Sequence, residues 1–155
     1  MSTDATGSAA STPRVVGAEL SHDLSFLLAR ANALSLSAGN AAMAPHGLKV
    51  RSYSVLALAV SDARPSQREL AEFLRLDPSQ VVALVDELQT RGLVMREPDP
   101  ADRRANVVTA TPAGRSLFAQ AERSARAAER ELHSDLSEVE RTQLLGLLRR
   151  LALLA

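Results

Sequence analysis

Two helix-start signatures one short helix apart, followed by an arginine-tipped hairpin, constrain this chain more than any other feature. Ser66 is followed three residues later by Glu69, and then by Leu70, Ala71, Phe73 and Leu74. A serine N-cap with a glutamate at N3 is a capping box, in which each side chain satisfies a backbone donor that the first turn leaves free. The pattern returns at Asp77, with Gln80 at N3 and Pro78 at N1, where a missing N–H has no partner to lose. The helix that follows sets Val81, Leu84, Val85 and Leu88 on one face of a 3.6-residue period, and Gly92 supplies its stop. Two short helices joined by a tight turn, the second opening on small polar residues, make a helix-turn-helix pattern.

Capped amphipathic pairs also occur in small helical bundles, so the next residues decide the reading. Leu93, Val94 and Met95 lead into Arg96-Glu97-Pro98-Asp99-Pro100, which is too proline-rich for a helix, and Asn106, Val107, Val108 and Thr109 form a second β-rich run. The expectation is a two-stranded ribbon whose polar tip carries Asp102, Arg103 and Arg104.

Over about residues 20 to 153 the sequence resembles the MarR family (multiple-antibiotic-resistance regulators) of winged helix-turn-helix transcription factors. The resemblance is carried by the helix pair, RGLV at 91 to 94, DRR at 102 to 104 and TPAG at 111 to 114. Asp102 and Arg104 match the family's Asp-x-Arg wing motif, and Thr111 and Gly114 match the Thr-x-x-Gly that opens its next helix. Three positions depart from the pattern. Val82 and Ala83 stand where many members carry threonine and arginine, and Ala110 stands where leucine is usual. Val82 and Ala83 can offer only apolar contact, for example to a thymine methyl, so polar base readout falls to Ser79 and Gln80.

The resemblance implies a mainly α fold with a small β-hairpin wing, its N- and C-terminal helices forming a dimerisation scaffold. It implies no cofactor. Residues 1 to 17, rich in Ser, Thr and Ala, read as a disordered tail with neither the basic start nor the apolar core of a signal peptide. Scaffold helices are expected over 18–60, the winged helix-turn-helix over 61–110, and helices completing the scaffold over 111–155. Within the scaffold, helices are predicted over 18–38, 51–61, from Thr111 to about Leu132, and from about Ser137 onward. The last carries Val139, Leu144, Leu145, Leu147, Leu148 and Leu151, more apolar surface than one small monomer needs, which points to a two-fold homodimer.

Such a dimer would set its two helices starting at Asp77 in successive major grooves of double-stranded DNA, with Arg103 or Arg104 in the flanking minor grooves and Asp102 holding the arginine. Ser79, Gln80 and Ala83 would meet the bases, while Ser66, Gln67, Arg68 and Arg75 would anchor phosphates. The family resemblance also implies a site for a small aromatic or phenolic effector, for which His22, Arg30, His46 and Tyr53 are the candidates.

Charge tempers the DNA reading. From 64 to 104 seven arginines face eight carboxylates, and the whole chain has a net charge of zero. Affinity must then come from where the arginines sit and from two half-sites bound at once. A winged helix that docks on a protein is the alternative, and steep salt dependence separates the two.

Other classes fare worse. The chain holds no cysteine, which excludes disulfide frameworks, thiol redox sensing and cysteine zinc sites. His22, His46 and His133 share no metal-ligand spacing, and neither a Gly-x-Ser-x-Gly elbow nor a phosphate-cradling glycine loop appears, so no enzyme is expected. No apolar run reaches the roughly 18 residues of a membrane span, and the cytoplasm is the expected location.

Overall fold

In the computed structural model of the chain, which describes residues 19–102 and 104–154, every described helix beyond residue 66 starts at a side-chain cap. The tail expected over 1–17, and Arg103 of the wing, lie outside the described residues. The elements run α1 (Leu24–Met43), α2 (Val50–Val60), α3 (Gln67–Leu74), α4 (Pro78–Thr90), β1 (Val94–Pro98), β2 (Asn106–Ala110), α5 (Pro112–Leu132) and α6 (Glu138–Leu151). This is the mainly helical, hairpin-bearing fold that the sequence predicts.

Two units divide at Leu34 and Ser35. In the first, a 3-10 turn (Glu19–His22) leads to Asp23, whose carboxylate accepts the Phe26 N–H at 2.7 Å and starts α1. Leu20, Leu24, Phe26, Leu27, Leu28 and Leu34 are all exposed. The helix begins later than the residue 18 expected and continues past 38, through Gly39. The reason at Gly39 is local: a Cβ there would lie 2.6 Å from Val50 Cγ2, so the glycine makes room for α2 instead of ending α1.

The second unit is built around α2, whose Val55, Leu56 and Ala59 are buried. Against it pack Leu70 and Ala71 of α3, Val81, Val85 and Leu88 of α4, Val94 and Val108 of the strands, and Ala121 of α5. The apolar stripe read for α4 is this core face; three of its four residues are fully buried and Leu84 is half-buried. β1 and β2 pair antiparallel from Val94↔Ala110 to Pro98↔Asn106. β1 is longer than the sequence suggested because Pro98 sits at its last position, where a missing N–H interrupts no ladder. Val108 N–H also donates to Pro65 O at 2.8 Å, so the residues just before α3 form a one-bridge third strand with β2. No described helix is long and apolar enough to cross a membrane.

The Thr-Pro-Ala-Gly run fastens α5 to the end of α4. The Thr111 hydroxyl donates to Gly92 O at 2.6 Å, and its oxygen accepts the Gly114 N–H at 3.1 Å. A Cβ on Gly114 would lie 1.9 Å from Leu93 O, so only glycine allows this approach. Gly92 has φ 69°, the left-handed geometry expected of a helix stop. On α6, by contrast, no residue is buried, and Val139, Leu145 and Leu151 are each at least 60 % exposed.

Candidate nucleic-acid interface

The mouth of α4 is set by its cap. The Asp77 carboxylate accepts from the Ser79 N–H at 3.0 Å and from the Ser79 hydroxyl at 2.8 Å. Those two bonds, hydroxyl first, hold its carboxyl below the usual range. The charge satisfies the first turn and cancels part of the helix-end field that would otherwise draw a phosphate. Gln80 Oε1 accepts the Asp77 N–H at a long 3.3 Å, and its side chain is exposed. Val82 is 41 % exposed and Ala83 is exposed, so an apolar step follows the polar opening.

The residues expected to hold phosphates are not equivalent. Ser66 is spent on its capping box: its hydroxyl and its backbone N–H both donate to Glu69 Oε2 at 2.7 Å. The N–H, then the hydroxyl, keep the Glu69 carboxyl below its usual range. Gln67 turns its carbonyl oxygen to Arg96, which donates through Nη2 at 2.6 Å. Arg68 lies far out in solvent beside Glu72 at 2.9 Å, a screened surface pair of small worth. Arg75, exposed at the end of α3, adopts φ 53°, a conformation that costs a side chain about 1–2 kcal/mol. Neither Arg75 nor Arg104 has an ion-pair partner among the described residues.

At the wing tip, Asp102 Oδ1 accepts the backbone N–H of Arg104 at 3.0 Å. Its carboxylate therefore shapes the turn that presents Arg104. Asp99 works the same way, accepting from Ala101 N–H at 2.8 Å. Sequence reasoning missed Arg96, which ties β1 to both helices through Gln67, Asp86 and Gln89. Its only local signal was a cation in a strand otherwise read as ribbon.

The effector candidates separate. His22 and Arg30 are exposed residues of the first unit. His46 meets Ser124 Oγ at 2.9 Å, a bond across 78 positions. Tyr53 stacks on Phe118 with centroids 5.5 Å apart and lines a cavity of about 240 Å³, with Ser35, Gly39, Met43, Glu129 and His133. Burial, then the Glu122 charge, raises the Tyr53 pKa, so its phenol keeps a proton to donate. Tyr53 is the one candidate among these lining residues, and the ionisable His133 and Glu129 beside it were not selected from the sequence.

The MarR family's sequence model matches residues 46–105, the stretch from the turn before α2 to the wing. A solved MarR-family transcriptional regulator from Rhodococcus sp. RHA1 is 42% identical, with a TM-score of 0.82, covering 88% of this chain and 96% of that one. The chain belongs to the MarR family. It is also similar to CouR from Rhodococcus jostii RHA1 bound to p-coumaroyl-CoA, at 44% identity, 86% and 94% coverage and a TM-score of 0.79. A structure of the transcriptional repressor CouR bound to a 23-mer DNA duplex is 31% identical, with 92% and 99% coverage and a TM-score of 0.81. The stretch shared with two curated transcriptional regulators spans 60% of their length. As a MarR-family protein the chain is a transcriptional regulator, not an enzyme.

Proposed function

We propose that the chain is a sequence-specific repressor that binds a pseudo-palindromic operator as a homodimer in the cytoplasm and is released by a small aromatic or phenolic ligand. The observation that carries the reading is one frame with two protruding reading elements: the polar-then-apolar opening of α4 and the Arg104 tip of the wing. The structure of CouR on DNA supports it, through the likeness over nearly all of both chains. The exposed leucines of α6 and of residues 20–34 support a dimer, since each stretch presents more apolar surface than a monomer usually leaves in water. The cavity at Tyr53 and His133 supports an aromatic ligand: it is mostly apolar, with a phenol and an imidazole to orient a polar group. CouR bound to p-coumaroyl-CoA points the same way.

Fluorescence anisotropy against the DNA upstream of the chain's own gene, and against duplexes selected from a random pool, tests the reading at two salt concentrations. Selective binding that weakens steeply with salt, by a species sedimenting as a dimer, supports it. Binding that is neither selective nor salt-dependent would sink it in favour of a protein-docking winged helix.

Gln80→Ala should narrow the affinity gap between selected and scrambled duplex by about 1–3 kcal/mol per half-site. Its weak 3.3 Å cap bond should cost little stability. A fall in melting temperature with selectivity intact would make Gln80 a capping residue only.

A further inference from the structure

We infer that Arg96 is the positioning residue that fixes the wing's angle to the reading helix, so that the α4 mouth and the Arg104 tip engage DNA together. The inference rests on the DNA-binding reading above. A two-stranded ribbon alone is marginally stable, and beyond Pro98 this one continues into a tip held by its own turn bonds. Its angle must be set nearer its base.

Arg96 is the side chain placed to do so. Its guanidinium donates to three acceptors on two helices: Gln67 at the start of α3 through Nε (3.1 Å) and Nη2 (2.6 Å), Gln89 of α4 through Nη1 (2.6 Å), and Asp86 of α4 through Nη2 (2.6 Å). The group is largely covered, at 24 % side-chain exposure, so these bonds are screened less than the surface pairs elsewhere. The next residue faces the other side of the ribbon, as strand alternation requires, and Glu97 meets Arg64 there at 2.8 Å. β1 is thus gripped on both faces at adjacent positions.

Leverage makes the angle matter. From Arg96 to Asp102 at the tip is six residues, at most roughly 20 Å of extended chain, so a rotation of about 10° moves the tip by roughly 3 Å. That is about half the width of a minor groove. The same bonds explain why Gln67, on the α3 edge expected to meet phosphate, turns its carbonyl oxygen inward.

A double-mutant cycle tests this on duplex selected by the wild-type protein. Arg104→Ala should cost the wild type at least tenfold in affinity, and Arg96→Gln proteins threefold or less, because a wandering tip contributes little to begin with. Arg96→Lys should behave like Arg96→Gln, since one ammonium cannot span three acceptors, and it stands in if Arg96→Gln does not fold. Hydrogen exchange in the free protein gives a second readout. The Val108 amide, which bonds Pro65 O outside the ribbon, should exchange at least several-fold faster in the Arg96 variants, with the α2 amides unchanged. An undiminished Arg104→Ala effect in a folded Arg96 variant would overturn the inference, as would a lysine that restores it. Val108 exchange equal to wild type would also overturn it, and that arm stands even if no duplex is bound and the DNA reading itself fails.

Discussion

Arg104→Ala should lower affinity for a selected operator by about 1–3 kcal/mol per wing, roughly ten- to a hundredfold, and leave the melting temperature unchanged. The two halves of that expectation have separate grounds. Arg104 is exposed and has no ion-pair partner among the described residues, so its side chain holds nothing in the fold. Its backbone is fixed all the same. Asp102 Oδ1 accepts its N–H at 3.0 Å, Asp102 O accepts from Ala105 N–H, and Ala105 O from Asp99 N–H, each at 2.9 Å. Because the turn survives loss of the side chain, the substitution removes a contact without moving the loop that presents it. Anisotropy titrations paired with thermal melts check it. Unchanged affinity would take the wing out of recognition and leave the α4 mouth to do all of it.

Gly114→Ala should be the most damaging single methyl added to the chain. The new Cβ would sit 1.9 Å from the Leu93 carbonyl oxygen, and that oxygen belongs to backbone already bonded to Thr111 N–H at 3.0 Å. Neither side can yield by a rotamer change. Overpacking usually costs 1–3 kcal/mol, and a clash against backbone belongs at the top of that range, so a loss of about 3 kcal/mol is expected. For a chain of this size that lowers the melting temperature by roughly 10 °C. Thermal unfolding by circular dichroism measures it. A loss under about 2 °C would mean that α5 can lift away from the end of α4 freely, contrary to the close fit seen there.

What the sequence made legible was local. Ser66 with Glu69, Asp77 with Gln80 and Thr111 with Gly114 each act within one helical turn, so three residues sufficed to place a helix start. Val81, Val85 and Leu88 announced their core face by spacing alone. What it hid was pairing at a distance. Gln67 looked like a free amide at a helix start, yet Arg96 holds it from 29 positions away. His46, a candidate effector contact, also bonds Ser124 from 78 positions away. His133 carried no local pattern, and only the packing of α5 against α2 brings it to the cavity beside Tyr53. Gly39 lies inside α1, where its missing side chain leaves room for Val50.

The fastening of α5 to the end of α4 has a consequence for how such a protein could be switched. Thr111 ties the start of α5 to the residues that end α4, so a swing of α5 would be passed to the helix proposed to read bases. Operator spacing then becomes a protractor. In a dimer, each base pair added between half-sites shifts one of them by about 3.4 Å and turns it by roughly a tenth of a revolution. A spacer series titrated with and without ligand would read out the angle of α5 directly, in base pairs.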